Sequence, residues 1–426
     1  MLKPSGVKLP SSVWTTCLLA CVALQSSAQS FALKDGDRVV FYGDSITDQR
    51  LYTTFAETFV VTRFPRLDVS FVHSGWGGDR VTGGGGGPID TRLRRDVFAY
   101  KPTVMTIMLG MNDGSYRAFD EGIFGTYSKG YQHIVDSVKA TLPGIRITAI
   151  QPSPFDDVTQ PPKFEGGYNG VLVRYSQFVK ELASREKLGV ADLNGPVVAA
   201  LEKAKATDPE GAKKIIPDRV HPGPGGHLLM AAELLKAWQA PALVSAVELD
   251  ARSGKVSGSK GAKVSDVKTG SDISWTQLDD ALPMPVDMND PVIALSVKSS
   301  DFIQALNQQT LKVTGLSAAN YVLKIDGSEA GSFTKEQLAE GINLATRSTP
   351  MAKQAAEVHK LTLLHNNTHF QRWRQIEVPL GEPKSAKVRQ AVKDLIAALD
   401  SEEAGQVKEQ RAAALPKPHQ FQLGPN

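Results

Sequence analysis

The stretch Arg38-Val39-Val40-Phe41-Tyr42-Gly43-Asp44-Ser45 decides the fold. Five residues, four of them apolar, form a short run suited to a buried strand. Gly43 and Asp44 then break it, and Leu51 to Arg63 follows with a helical pattern. Working outward, the same alternation repeats. Asp68 to His73 reads as a strand, Asp90 to Tyr100 as a helix, and Thr103 to Leu109 as an almost wholly apolar strand. Tyr127 to Ala140 is helical, Ile145 to Ile150 a strand, Val171 to Glu186 helical, Val190 to Leu193 a short strand, and Gly226 to Trp238 a closing helix. Strands alternating with helices at this spacing predict an α/β fold, a parallel sheet covered on both faces. Functional loops then lie at the carboxyl ends of the strands.

The pattern changes after Val247. Residues 253–274 are rich in Gly, Ser and Lys, while Leu311 to Thr314 and Tyr321 to Ile325 alternate, the latter ending in an Asp326-Gly327 turn. This predicts a small β-rich module over 248–335. A helical extension is expected over 336–411, and a mobile tail over 412–426, where Pro416 and Pro418 interrupt the pattern. The α/β domain occupies 30–247. No long repeat or heptad pattern is present.

The first 28 residues read as a secretory signal. Lys3 and Lys8 precede an apolar run from Val13 to Leu24, and Ser26 and Ala28 stand where a cut needs small residues. The expected address is secreted or periplasmic. The alternative is a lipoprotein, because Leu18-Leu19-Ala20-Cys21 also resembles a lipid-attachment box that would keep Cys21 as an anchor. Both cysteines, Cys17 and Cys21, lie in this leader, so its removal would leave no thiol chemistry. No other stretch suits a transmembrane span.

The chain has 426 residues, 41% hydrophobic and 22% charged, with a formal charge of +3. That composition excludes disorder and permits a sizeable core. A nearly neutral chain has no electrostatic reason to bind nucleic acid.

Four segments carry the chemistry. Gly43-Asp44-Ser45 places a serine between a strand and a helix N-terminus, where its backbone N–H is unpaired. This suits a nucleophile, although a helix cap uses the same residues. Gly75-Trp76-Gly77-Gly78-Asp79 follows the second strand and permits close approach to a ligand, or simply a tight turn. Gly110-Met111-Asn112-Asp113 follows the third strand; the Asn112 amide can donate to a developing negative charge, and Asn-Asp is also turn chemistry. In Asp218-Arg219-Val220-His221, an acid three residues before a histidine can fix its tautomer, leaving the other ring nitrogen to deprotonate a serine.

Taken together and in this order, the segments resemble the blocks of the SGNH (GDSL-type) hydrolases, over roughly residues 36–240. The resemblance implies a flavodoxin-like three-layer α/β/α sandwich and a serine esterase without cofactor. It makes Ser45 the nucleophile, His221 the general base and Asp218 its orienting acid. The oxyanion hole would use the Ser45 and Gly78 backbone N–H groups and the Asn112 side chain, with Gly78 chosen over Gly75 and Gly77 by alignment, and Asp44 holding the turn. One departure stands out: the second block of many members opens with an Asn, where this chain has His73-Ser74.

Trp76 and Tyr116 follow these blocks and are candidates to line the substrate cleft, with core packing as the alternative. His365 and His369 share a helix face but lack companions for a metal, so none is expected. His227 reads as packed or capping. The aromatic and basic run His369-Phe370-Gln371-Arg372-Trp373-Arg374 either folds over the cleft or packs the extension on the main domain. Family members include lysophospholipases, thioesterases and carbohydrate acetylesterases. A secreted, non-basic chain with a β-rich appendage fits short-acyl carbohydrate esters best, by analogy. A non-catalytic carbohydrate-binding protein on the same fold is the reading from another class.

Overall fold

The computed structural model describes residues 1–2 and 30–426. The leader with its two cysteines, and its cut at Ala28, lie outside the described residues. No described helix is long and apolar enough to cross a membrane.

Strands β1 (Asp37–Gly43), β2 (Val69–Gly75), β3 (Val104–Met108), β4 (Arg146–Ile150) and β5 (Gly189–Ala191) form one parallel sheet in the order β2-β1-β3-β4-β5. Helices α1 (Ser45–Asp48), α2 (Leu51–Arg63), α3 (Ile89–Asp96), α4 (Glu121–Thr141), α5 (Gly167–Glu186), α6 (Gly195–Thr207) and α7 (Pro224–Ala237) complete the flavodoxin-like domain. Helix α2 packs with α7 and α4 with α5, the two pairs that right-handed crossovers in this strand order put on opposite faces. The Tyr127 and Tyr175 rings stack at 4.4 Å to join α4 to α5. Strand order reverses between β1 and β3, which opens a crevice beyond their carboxyl ends. Gly43 pairs with both Gly75 and Met108, so the three strand ends that feed the catalytic segments finish level.

The extension is not the series of modules predicted above. Strands β6 (Leu243–Asp250), β7 (Val256–Lys260), β8 (Ala262–Lys268) and β9 (Ile273–Asp279) precede helix α8 (Pro291–Lys298) and strands β10 (Gln308–Thr314), β11 (Asn320–Ile325), β12 (Ser328–Thr334) and β13 (Ile342–Asn343). Then come α9 (Pro350–Phe370), a π-helical turn over Gln371–Glu377, α10 (Ala386–Ala414) and β14 (His419–Pro425). Two sheets result, β8-β9-β14-β11-β12 and β13-β10-β6-β7. The 248–335 boundary therefore fails in two ways. Leu295, Val297, Phe302 and Leu306 belong to the core of the α/β domain, and the β-rich part runs to the C-terminus.

The tail expected to be mobile is the middle strand of the five-stranded sheet, antiparallel to both β9 and β11. His419, Phe421 and Leu423 turn inward while Gln420 and Gln422 face out, and Phe421 stacks on Trp275 at 5.1 Å. Period-two alternation and burial overrode the disruptive effect of Pro416 and Pro418, which sit before the strand rather than in it.

Helix α9 lies on α2 and explains an oddity of that helix: Tyr52 to Arg63 are all buried. A helix flanked by a sheet and by other helices has no solvated face. Among the described residues, Arg63 caps the junction by donating to the carbonyls of Pro241, Leu243 and Leu306.

Candidate active site

The turn that carries Ser45 is set by close packing. A Cβ at Gly43 would meet Thr47 Oγ1 at 2.2 Å and the Met108 carbonyl at 2.7 Å, so only glycine lets β1 turn into α1 here. Asp44 caps α1 by accepting the Ile46 N–H at 3.1 Å. Its burial pushes its carboxyl up to about 7, against the bond from Ile46. Ser45 opens the helix beside the crevice.

His221 arrives from a loop ahead of α7. Its Nε2 lies 2.8 Å from Ser45 Oγ and its Nδ1 2.7 Å from Asp218 Oδ2. Asp218 Oδ1 accepts the backbone N–H groups of Val220 (2.9 Å) and His221 (2.7 Å). Partial burial raises the Asp218 carboxyl, but these bonds and the imidazole outweigh it and hold it below the usual carboxylate range. The carboxylate thus stays charged where it can fix the Nδ1–H tautomer. The chain between them is braced by Arg219, which sits at φ 74°, donates from Nε to the Asp156 carbonyl at 3.0 Å and accepts the Asp156 N–H on its own carbonyl at 2.9 Å. Nothing in the sequence marks Arg219 for this, because its partners lie some sixty residues away.

Among the described residues, no hydrogen bond uses the N–H of Ser45 or of Gly78. The neighbouring glycines are different. Gly77 N–H donates to Asp48 Oδ2 at 3.1 Å, and Gly75 is fixed inside β2. Gly78, at φ +77°, is the glycine of this loop whose donor is open. Asn112 gives one amide hydrogen to the Asp79 carbonyl at 3.1 Å, and its Oδ1 accepts from Tyr116 Oη at 2.9 Å. Those two bonds orient the amide and leave its second N–H available. A serine hydroxyl on an imidazole can attack an acyl carbon, and open donors on loops that follow the same level strand ends are the kind of groups that receive an oxyanion.

The other sequence candidates separate. Tyr116 is half-exposed and joins Phe155, Phe164, Tyr168 and Val220 around a depression of about 310 Å³ that reaches Asp218. Trp76 is a correction: it is 8% exposed, packed edge-on against Trp373 at 5.8 Å, and does not line the cleft. A tryptophan's large apolar face is better satisfied by the extension that covers it than by solvent. His227 is buried as a packed residue; its Nδ1 accepts the Tyr52 N–H at 3.2 Å, and burial lowers it to about 3, so it is neutral. His365 and His369 face Glu57 and Glu403 rather than a metal cage, and among the described residues no His, Cys, Asp and Glu group has metal-holding geometry. The run 369–374 divides between two surroundings. Trp373 is buried, whereas Phe370 borders a second depression of about 370 Å³ shared with Ser45, Asp48, Gln49, Arg50 and His221.

A flavodoxin-like sheet with this constellation at its switch point defines a serine hydrolase of the SGNH class. Residues 41–229 match the model of the GDSL-like lipase/acylhydrolase family. Those residues therefore form a domain of that type, and the chain is a hydrolase acting on ester bonds. It is 25% identical over 221 residues to the acetylxylan esterase of Geobacillus stearothermophilus, covering 47% of this chain and 93% of that one. It is also similar to a solved gut microbial diltiazem-metabolizing enzyme, at 27% identity and a TM-score of 0.79, covering 93% of this chain and 99% of that one. The second likeness takes in the extension as well as the α/β domain.

Proposed function

We propose that this chain is an exported serine esterase that removes short acyl groups, acetyl foremost, from ring-bearing alcohols such as carbohydrates. Ser45 Oγ attacks the ester carbonyl carbon as His221 Nε2 takes its proton, and Asp218 stabilises the imidazolium. The Ser45 and Gly78 N–H groups and the Asn112 amide receive the oxyanion. Collapse breaks the bond to the alcohol, which leaves with the proton from His221. Water, deprotonated by the same imidazole, then cleaves the acyl-enzyme to release the acid and regenerate Ser45.

The 2.8 Å contact between Ser45 and His221, continued at 2.7 Å to Asp218, carries this reading. Two features support the substrate. The depression beside Asp218 offers aromatic faces of the kind that stack on sugar rings, and the depression at Ser45 is bordered mainly by Asp48, Gln49 and Arg50, poor company for a long acyl chain. The likeness to an acetylxylan esterase points the same way. Export rests on the leader, with lipid attachment at Cys21 as its variant.

The test is hydrolysis of p-nitrophenyl esters from acetate to palmitate, by wild type and Ser45→Ala. Activity that depends on Ser45 and falls steeply with chain length is expected, followed by acetate release from acetylated xylan. A preference for palmitate would overturn the short-acyl assignment, and activity in Ser45→Ala would overturn the mechanism.

A further inference from the structure

We propose that Arg374, carried by the C-terminal extension, is a positioning residue for the oxyanion loop, so that the extension is part of the esterase machinery and not only a brace. The proposal rests on the assignment of Gly78 as an oxyanion donor. Gly78 sits between Gly77 and Asp79 on a loop whose usual supporting Asn is absent here, replaced by His73-Ser74. His73 turns away to Thr53 at 2.8 Å and to Glu57 at 3.3 Å. Other groups must therefore hold the loop, and they come from two directions.

From α3, Arg92 donates to Asp79 Oδ2 at 2.7 Å and to the Ser74 carbonyl at 2.8 Å, and it also binds Asp96. From the extension, the π-helical turn brings up two consecutive side chains. Trp373 Nε1 donates to Asp96 Oδ1 at 2.6 Å, which ties the turn to the same buried ionic cluster. The Arg374 guanidinium lies 2.9 Å from the centroid of the Trp76 ring, and its Nη2 is 4.0 Å from Asp48 Oδ2. That carboxylate oxygen is the acceptor of the Gly77 N–H. Arg374 thus meets the loop just ahead of the donor at two points: the ring two residues before Gly78, and the anion that fixes the residue directly before it. Asp48 also ends α1, the helix that Ser45 begins, so one guanidinium spans the elements bearing two of the three oxyanion donors. π-Helical turns are frequent at functional sites.

Arg372, two residues earlier, provides the comparison. It pairs with Asp400 at 2.7 Å and with Glu377, within the extension, and reaches neither Trp76 nor Asp48. A purely structural role for this turn predicts similar consequences for both arginines; the positioning role predicts a split.

The experiment measures kcat and KM on p-nitrophenyl acetate, the rate of labelling by a fluorophosphonate, and the melting temperature. The variants are Arg374→Ala, Arg374→Lys, Arg372→Ala and Ser45→Ala. Arg374→Ala is expected to lower kcat about 10-fold or more with KM within about twofold, because a donor displaced by a fraction of an ångström loses the transition state and not the ground state. Labelling should slow in parallel, and Arg374→Lys should recover part of kcat by keeping a cation on Trp76. Arg372→Ala should leave kcat unchanged. The proposal is overturned if Arg374→Ala keeps wild-type kcat, if it changes only KM, or if both alanine variants lose kcat in step with a fall in melting temperature. Should Arg374→Ala not fold, the lysine variant decides, through its kcat at unchanged melting temperature. Loss of activity in Ser45→Ala with an unaffected Arg374→Ala sinks this proposal alone; activity in Ser45→Ala sinks the catalytic assignment beneath it.

Discussion

Glu57 of α2 and His365 of α9 meet at 2.6 Å, both 2% exposed, and this contact joins the α/β domain to its extension. His73 approaches the other Glu57 oxygen at 3.3 Å, Gln410 donates to the first at 3.0 Å, and Glu403 stands 3.7 Å from His365 Nδ1. Burial alone would lower His365, but the Glu57 charge and then Glu403 raise it to about 9. Burial alone would raise Glu57, but the His365 charge outweighs it and holds the carboxyl far below its usual range.

The sign of the pH dependence follows. A histidine raised on folding contributes stability that is complete below its unfolded value of about 6.5 and is lost as pH rises through about 9. Glu57 and Glu403 contribute above the usual carboxylate range and lose it as pH falls; His73, lowered to about 4, adds to the acid loss because it is buried neutral. Stability should therefore peak near neutral pH and decline between pH 7 and 10, with His365 supplying on the order of 3 kcal/mol of that decline. Melting curves of wild type and His365→Gln across pH 6 to 10 check this. The variant should be less stable at pH 7 and converge on wild type at pH 10, and a gap that stays constant with pH would refute the linkage.

Asp218 is half-exposed, yet it accepts two backbone N–H groups as well as the imidazole. Asp218→Asn keeps an acceptor for the backbone but offers an amide to Nδ1, which favours the wrong tautomer. A fall in kcat of about 10²- to 10⁴-fold is expected, with the melting temperature nearly unchanged. Asp218→Ala should show a comparable kinetic loss plus destabilisation of the loop. Steady-state kinetics beside thermal melts separates the two effects; a kcat within about threefold of wild type in Asp218→Asn would remove the acid from the mechanism.

Tyr116 holds the Oδ1 of Asn112, the proposed oxyanion donor, at 2.9 Å. Tyr116→Phe keeps the ring that borders the aromatic depression and removes only the hydroxyl. It should lower kcat by about 10-fold, against about 10²- to 10³-fold for Asn112→Ala, which removes the donor itself. The double variant should lose no more than Asn112→Ala alone, because the two act in series. Additive losses on p-nitrophenyl acetate would show that Tyr116 works independently of Asn112.

The α/β half was legible because local and global signals agree there. Val39 to Tyr42 are fully buried and read as a buried strand, and the Gly43 turn, the Leu51–Arg63 helix and the Asp218–His221 spacing each act over a few residues. What escaped reading depends on distant partners. Arg219 is meaningful only through Asp156, Trp76 is claimed by Trp373 almost three hundred residues later, and Arg374 acquires its place only when the extension folds back onto α1 and β2. The boundary between modules was invisible for a related reason: residues 284–306 leave the β-rich sequence around them to pack on α7, where a Cβ at Gly225 would meet Ser296 Oγ at 2.5 Å.

The C-terminal strand gives the sharpest test of this long-range organisation. Residues 419–425 separate β9 from β11, so their removal leaves two inner edges unpaired and strips Trp275 of its stacking partner. Leu423 and Phe421 are at most 1% exposed, and Phe421→Ala should cost about 3–5 kcal/mol. A chain ending at Pro418 should lose more, and with it the docking of α10, whose Ala414 lies in the same core. Because Arg411 of that helix donates to the Leu67 and Val69 carbonyls at the start of β2, the loss should spread into the α/β domain and lower esterase activity as well as the melting temperature. Thermal melts and p-nitrophenyl acetate turnover of the truncated chain decide the matter: a melting temperature within about 2 °C of full length would return the segment to the status of a dispensable tail.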